Sequence, residues 1–130
     1  MKIVIAGIRY FDPASKTIYE DYAFVANAIS VSRFIISEVI CGKAIGVDTL
    51  GETWALSNDV EVKYFPANWS LYNKAAGPIR NKEMAIYADA AIIIWDGKSA
   101  GTFNMIQNMI SLKKPYELHI IKSGLEEFFT

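Results

Sequence analysis

The 130-residue sequence predicts an α/β fold in which a mostly parallel five-stranded sheet lies between two layers of helices. The first observation is that short apolar runs alternate with segments of helical periodicity five times along the chain. The second is that these runs lack polar alternation, which is typical of strands buried on both faces. The third is a hydrophobic content of 52%, which suits one compact domain over residues 1–130. Together they predict a Rossmann-like three-layer sandwich.

Five apolar runs are predicted to form the strands. The first is the β-branched run Lys-Ile-Val-Ile-Ala, which ends at Gly7, and the third is closed by Pro66. The fourth, Ala-Ala-Ile-Ile-Ile-Trp, is the most apolar run in the chain. The predicted strands cover residues 2–6, 38–41, 60–65, 90–95 and 115–121.

Helices are predicted where apolar residues recur at helical spacing behind a start signal. The first start signal is Asp12-Pro13-Ala14-Ser15, where the proline lies just inside the helix. A polar and aromatic loop is predicted over residues 67–76. The predicted helices are Asp12 to about Ser30, a segment with Val47, Leu50 and Trp54 on its apolar stripe, Gly77 to about Ala88, Thr102 to about Leu112, and a short tail from Leu125 to Phe129.

Composition excludes several classes of function. The net charge is −1 and no Lys/Arg cluster occurs, which argues against nucleic-acid binding. No apolar run approaches the ~18 residues of a membrane helix, and the N-terminus does not resemble a signal peptide. The single cysteine, Cys41, fits a reducing compartment, so we expect a cytoplasmic protein. The single histidine, His119, argues against a zinc site, and neither a metal nor a cofactor is expected.

Four loops with unusual chemistry follow the predicted strands. In a parallel sheet these loops emerge at the carboxyl ends of the strands, where ligands bind. We therefore expect one ligand-binding edge, because four such loops together indicate more than any one alone. The loops are Gly7 to Tyr10, Cys41 to Asp48, residues 67–77, and Asp96 to Thr102.

Two of these loops place glycines just before a helix. Backbone N–H groups at glycines and at a helix N-terminus bind anions such as phosphate. Gly42 and Gly46 precede one helix, and the alternative there is a tight turn in which Asp48 caps its own helix or favours its dipole. The loop Asp96-Gly97-Lys98-Ser99-Ala100-Gly101-Thr102 has the same character, and its alternative is also a turn with a cap.

Arginine and aromatic residues complete the predicted site. Arg80 shares a helix face with Met84 and Ala88, which directs it toward the sheet, near an anion or, alternatively, into an ion pair with Glu83 or a nearby Asp. Arg9 follows the first strand and is either a ligand contact or a solvated loop residue. Trp69, Tyr72 and Trp95 could stack on a base, or they could be core or interface residues.

Catalytic residues are harder to identify. The only histidine is in the last predicted strand, so no Ser/His/Asp set is expected. No carboxylate of the ligand-binding edge is visibly paired with a nucleophile, and Cys41 is expected to be a buried, inert thiol. The carboxylates expected at this edge are Asp12, Asp48, Glu83 and Asp96.

Four blocks of the sequence resemble the SLOG superfamily, specifically its YspA-related branch, over nearly the whole chain. They are Gly7-Ile8-Arg9-Tyr10-Phe11, Gly46-Val47-Asp48-Thr49-Leu50-Gly51-Glu52, residues 65–81 with Lys74 and Arg80, and Trp95-Asp96-Gly97-Lys98-Ser99-Ala100-Gly101-Thr102. The resemblance implies a Rossmann-like domain that binds nucleotides or molecules derived from them, such as NAD or ADP-ribose. It also implies a homo-oligomer in bacterial or phage nucleotide signalling or defence.

The related lonely guy enzymes cleave the N-glycosidic bond of nucleoside monophosphates. By position, the resemblance assigns Arg80 to their ligand-contacting arginine, and Gly97, Gly101 and Thr102 to their phosphate loop. Their catalytic glutamate follows that loop, whereas Phe103-Asn104-Met105 follows it here. The loop after the second strand also departs from the branch, because Cys41, Lys43 and Ile45 replace Ser, Gly and Arg.

The sequence therefore favours a binder of a phosphorylated, nucleotide-derived ligand that acts as a sensor or a sequestering protein. The alternative is a hydrolase of the N-glycosidic or phosphoester bond that uses Asp48, Asp96 or Glu83. A DNA-associated domain is a third hypothesis, which the net charge opposes. The candidate ligand-binding residues are Gly7, Arg9, Tyr10, Gly42, Gly46, Asp48, Trp69, Lys74, Arg80, Asp96, Gly97, Ser99, Gly101 and Thr102.

Overall fold

The computed structural model describes residues 1–9, 18–122 and 125–129 of the chain. The predicted helix start at Asp12 and the candidate site residue Tyr10 lie outside these residues. The strands are β1 (Lys2–Gly7), β2 (Glu38–Cys41), β3 (Glu61–Tyr64), β4 (Ala90–Trp95), β5 (Tyr116–Lys122) and β6 (Leu125–Phe129). The helices are α1 (Ile18–Ser30), α2 (Val47–Ser57), α3 (Trp69–Tyr72), α4 (Ala76–Tyr87) and α5 (Ala100–Ser111), with a 3₁₀ turn at Asn73–Ala75.

The six strands form one sheet in the order β3-β2-β1-β4-β5-β6. The five strands β1 to β5 are parallel, which confirms the predicted α/β fold and its five-stranded parallel sheet. The central strands β1 and β4 pair from Ile3 with Ala90 to Gly7 with Ile94. Both are almost completely buried, as runs without polar alternation should be.

The predicted helical tail at Leu125 to Phe129 is wrong, because these residues form the antiparallel strand β6. Leu125 pairs with Lys122 and Phe129 pairs with Leu118. Five residues are too few for a stable isolated helix, whereas pairing with β5 satisfies backbone groups that an edge strand would leave open. The Ser123-Gly124 dipeptide between the two strands is a turn signal that could have indicated a hairpin.

Two hydrophobic cores lie on opposite faces of the sheet and produce the three layers. On one face Ile3, Ile5 and Ile92 pack with α1 and α2 through residues such as Val25 and Val47. On the other face the buried residues are Val4, Ile40 and Ile93 from the strands and Met84, Met105 and Met109 from α4 and α5. Successive residues of β1 and β4 therefore pack into opposite cores. This packing on both faces holds the carboxyl ends of the two strands rigidly.

The segment between β3 and α4 contains more structure than the predicted loop. The side chain of Asn68 accepts a hydrogen bond from the Leu71 N–H at 3.1 Å and caps the short helix α3, which begins at Trp69. In the part of the chain that the structure describes, no helix has both the length and the apolar character needed to cross a membrane.

Candidate functional site

The candidate site lies at the carboxyl ends of β1 and β4. The strand order reverses between these neighbours, because β1 leads to β2 on one side of it and β4 leads to β5 on the other. Such a switch point opens a crevice above the sheet. Gly7 ends β1 there, and a Cβ on it would lie 2.2 Å from the Ile94 carbonyl oxygen. Glycine is therefore required at Gly7 for the close approach of the two strands.

A first cavity of about 420 Å³ fills this crevice. It draws on the loops after β1, β2 and β4, on the second and third turns of α4 and on the N-terminal turns of α5, as the predicted ligand-binding edge requires. Eight candidate residues line it: Gly7, Arg9, Asp48, Arg80, Asp96, Ser99, Gly101 and Thr102. It is also lined by residues that the sequence did not single out, among them Ala44, Asn81, Met84 and Met105.

A second cavity of about 280 Å³ adjoins the first. The two cavities share Arg9, Ala44 and Arg80, so they lie side by side with these three residues between them, and the pair is called the two-part cleft. The candidate residues Gly42 and Trp69 line the second cavity, together with the apolar residues Ile45, Pro66 and Ala67. Both contributing loops were predicted at the ligand-binding edge, but apolar loop residues carry no chemical signal in a sequence, so a separate second cavity was not expected.

Arg80 stands at the junction of the two cavities. Met84 and Ala88 are buried, so Arg80 lies on the sheet-facing side of α4, as its spacing predicts. Its guanidinium donates hydrogen bonds to the Gly42 carbonyl oxygen and, at 3.0 Å, to Asn81 Oδ1. Burial lowers the pKa of Arg80, and Asp48 opposes that change. The acidic neighbour of Arg80 is Asp48, whereas Glu83, the alternative partner, is exposed.

Asp48 is 5% exposed and belongs to the first turn of α2. Burial raises its pKa to about 6, although Arg80 and the backbone N–H groups of Ala44, Gly42 and Gly7 favour the charged form. The N-cap of α2 is Gly46, and no side chain caps that helix. The capping alternative for Asp48 is therefore wrong, since its carboxylate lies in the cavity wall beside the Arg80 guanidinium.

Asn81 is a site residue that sequence analysis missed. It is 8% exposed, accepts the hydrogen bond from Arg80, and donates to the Gly101 carbonyl oxygen at 3.2 Å and to Asn104 Oδ1 at 3.1 Å. Asn81 thus connects Arg80 to the first turns of α5. Its position next to Arg80 on the cavity edge of α4 was the available signal.

The loop after β4 is organised by Asp96. Its carboxylate accepts hydrogen bonds from the N–H groups of Lys98 at 2.9 Å and Ser99 at 2.7 Å, and from the Ser99 hydroxyl at 3.0 Å. Partial burial acts to raise the pKa of Asp96, but these hydrogen bonds outweigh it and the pKa is lowered. The Ser99 side chain does not cap α5, whose first turn, with Gly101 and Thr102, borders the first cavity.

Other candidates lie outside the cleft or serve the fold. Gly46 packs against the backbone of Ile8 and Arg9, and Gly97 occupies an open turn. Lys74 and Tyr72 are exposed and line neither cavity. Trp95 stacks on Phe103 with ring centroids 5.6 Å apart. Cys41 is buried, and burial raises its pKa to about 11, which agrees with an inert thiol.

The carboxylates differ in their availability for chemistry. Asp12 lies outside the described residues, and Glu83 is exposed and lines neither cavity. The Asp96 carboxylate already accepts hydrogen bonds from its own loop. Asn104, at the position after the phosphate-type loop, is hydrogen-bonded to Asn81. Among the described residues, no group of three His, Cys, Asp or Glu side chains could hold a metal ion.

No protein-family model, curated protein or solved structure matches this chain. Its class is therefore defined by the fold and the site alone. It is an α/β protein of the Rossmann-like type, with a two-part cleft at the switch point of its sheet and two arginines where the parts meet.

Proposed function

We propose that this chain binds a phosphorylated, nucleotide-derived ligand, of the NAD, ADP-ribose or cyclic-nucleotide type, in the cleft above β1 and β4. The observation that carries the proposal is the position of Arg80, a partly buried cation that lines both cavities, the first of which is also lined by the first turn of α5. A cation and a helix N-terminus that border the same cavity repel each other, and a bound anion relieves that repulsion. A phosphate group there accepts hydrogen bonds from both.

The polar groups around the first cavity support the same proposal. Arg9 adds a second cation, and Gly101 and Thr102 add a backbone N–H and a hydroxyl at the α5 N-terminus. Asp48 balances part of this positive charge when the cleft is empty. The resemblance to the SLOG superfamily points to the same class of ligand, and a sensor or sequestering protein of bacterial or phage nucleotide signalling is the role that we propose.

Calorimetry tests the proposal directly. The purified chain is titrated with ADP-ribose, NAD, AMP and a cyclic nucleotide, and the same titrations are repeated with Arg80→Ala. We expect at least one ligand to bind the wild-type chain in the micromolar range, and Arg80→Ala to weaken it strongly. Absence of binding by all four ligands at millimolar concentration would reject the proposal.

A hydrolase is the second candidate, and the position of Asp48 favours it. This carboxylate borders the first cavity, and its pKa of about 6 suits proton transfer near neutral pH. The chain would be incubated with each ligand and the products separated by chromatography. Product formation that Asp48→Asn abolishes would support the hydrolase, whereas unchanged ligand recovered from a stable complex supports the binder.

The proposed role includes a homo-oligomer, which the resemblance implies. Exposed apolar side chains on the outer helices, such as Ile86 and Ile110, are compatible with it, since they are 56% and 58% exposed. Light scattering coupled to size-exclusion chromatography measures the mass in solution. A mass of 14.5 kDa at all concentrations would show a monomer and reject this part of the proposal.

A further inference from the structure

The two parts of the cleft differ in chemistry. The first cavity is lined by Asp48, Asp96, Ser99 and Thr102 as well as the two arginines, so it is rich in hydrogen-bonding groups. The second is lined by Ile45, Pro66, Ala67 and Trp69, and no acidic side chain is among its described lining residues. A single ligand that fills both parts therefore has a polar portion and a flatter, more apolar portion.

Trp69 is the large aromatic side chain of the second cavity. Its indole is 50% exposed, and among the described residues no other aromatic ring stacks on it. One end of the ring rests beside Gly77, where a Cβ would lie 3.5 Å from Trp69 Cη2. The ring is thus supported from α4 while half of its surface stays open. An exposed indole lining a cavity is suited to stacking against a planar group.

The cationic lining residues of the second cavity do not favour a second phosphate there. Lys43 lies 3.5 Å from Glu52 Oε2, and its ammonium is 4.9 Å from the centre of the Tyr64 ring. The positive charge of Lys43 is therefore already balanced by Glu52 of α2. Arg9 and Arg80 belong to both cavities, so an anion that they hold lies at the junction rather than deep in the second cavity.

We infer that the second cavity binds the flat aromatic group of the ligand, stacked on Trp69, while its phosphate lies at the Arg9–Arg80 junction toward the α5 N-terminus. This inference rests on the proposed function and adds an orientation to it. The ligand class becomes a phosphorylated molecule with a planar aromatic base, and a phosphorylated sugar without a base would fill only the first cavity.

Two measurements with matched probes test the orientation. AMP and ADP-ribose carry a base, and ribose 5-phosphate is the base-free counterpart. Calorimetry compares the wild-type chain with Trp69→Ala, Trp69→Phe and the control Tyr72→Ala, an exposed aromatic on the same helix that lines neither cavity. We expect Trp69→Ala to weaken the base-containing ligands about tenfold or more and ribose 5-phosphate less than about twofold. Trp69→Phe should restore most of the loss.

The second measurement is made on the wild-type chain, and a single variant serves only to assign the Trp69 signal. The indole N–H signals of Trp54, Trp69 and Trp95 are followed by NMR, with Trp69 assigned through Trp69→Phe. We expect the Trp69 signal to move with AMP or ADP-ribose and to stay nearly unchanged with ribose 5-phosphate.

The outcomes separate the inference from the proposed function. If AMP or ADP-ribose binds but the Trp69 signal does not move, or if Trp69→Ala weakens all three ligands equally, the orientation is wrong and the function stands. If none of ADP-ribose, NAD, AMP and the cyclic nucleotide binds the wild-type chain, the proposed function fails and the orientation fails with it; if only NAD or the cyclic nucleotide binds, that ligand replaces AMP in both measurements.

Discussion

Arg80 Nη1 and Asp48 Oδ2 lie on either side of the position that a side chain on Gly42 would occupy, each 2.8 Å from the site of its Cβ. Glycine at this position lets the guanidinium and the carboxylate face each other across the loop after β2. The partly buried cation is therefore accompanied by a buried acid before any ligand arrives. An anion that binds Arg80 meets the negative charge of Asp48, so the protonation of Asp48 controls the affinity of the site.

Asp48→Asn should raise the affinity for ADP-ribose at about pH 7.5 several-fold and remove most of its pH dependence. In the wild-type chain the affinity should increase as the pH falls through about 6, because protonation of Asp48 removes a negative charge beside Arg80. ADP-ribose suits this test, since a pyrophosphate between two sugars does not titrate near pH 6, unlike the phosphate of AMP. Calorimetry between about pH 8 and pH 5 measures both curves. Parallel curves for the two proteins would contradict the prediction.

The same carboxylate should affect folding stability. The pKa of Asp48 is raised from 3.8 to about 6 in the folded chain, so the folded state takes up the proton first. Its ionised form costs stability above pH 6, and that cost is relieved as the pH falls through about 6, completely below 3.8. Relative to Asp48→Asn, the wild-type free energy of unfolding should rise by on the order of 1 kcal/mol from about pH 7.5 to pH 5. Urea titrations of both proteins measure this difference. Because the two proteins share every other titratable group, the contributions of those groups cancel in the difference.

Arg80→Ala should weaken ADP-ribose binding by about ten- to a hundredfold, because a charge-assisted hydrogen bond and a cation are lost together. Arg80→Lys should recover only part of the affinity, since an ammonium cannot keep Gly42 and Asn81 in contact and also bind an anion in the same plane. Lys82→Ala is the matched control, an exposed cation two residues further along α4. Equal losses for Arg80→Ala and Lys82→Ala would indicate general charge attraction instead of a specific contact.

Some of this site could be predicted from the sequence because its signals are local. Unalternating apolar runs predict the buried parallel strands, and the four-residue spacing from Arg80 to Met84 predicts the side of α4 that faces the sheet. The sequence offered Glu83 or a nearby Asp as the acidic neighbour of Arg80, but it could not identify Asp48, since that depends on how α4 and α2 approach the loop after β2. The strand β6 was missed because five residues carry little signal of their own, so only the Ser123-Gly124 turn signal before them pointed to a pairing with β5.

Asp96→Ala should lower both stability and ligand affinity. The Asp96 carboxylate holds the N–H groups of Lys98 and Ser99, and its loss should destabilise the chain by about 1–2 kcal/mol and loosen the first turn of α5. Asp89→Ala is a matched control, because Asp89 also accepts a backbone hydrogen bond, from Lys2 at 2.7 Å, but lines neither cavity. We expect both variants to lower the denaturation midpoint and only Asp96→Ala to weaken ADP-ribose binding. Unchanged affinity in Asp96→Ala would remove this loop from the site.

Among the described residues, two glycines have a positive φ, and they should respond very differently to substitution. Gly46 and Gly97 have φ angles of 85° and 79°, so alanine is strained at either position, by about 1–3 kcal/mol. A Cβ on Gly46 would also lie 2.3 Å from the Ile8 carbonyl oxygen and 2.4 Å from that of Arg9, whereas one on Gly97 meets no atom within 4 Å. Gly46→Ala must therefore separate the loop after β1 from the start of α2, and its midpoint in urea should fall far below that of Gly97→Ala.

Gly46 serves either the fold of the empty chain or the close approach of a phosphate, and the two roles give different results on substitution. The Val47 N–H donates to the Ile8 carbonyl oxygen at 3.1 Å, so the backbone next to Gly46 is already engaged in joining α2 to the end of β1. A glycine kept for close approach to a phosphate would lose affinity on substitution while the empty chain stayed stable. We expect the opposite for Gly46→Ala, namely a large loss of stability without any ligand. Equal unfolding midpoints for Gly46→Ala and Gly97→Ala would show that the contact with Ile8 and Arg9 is not what requires glycine there.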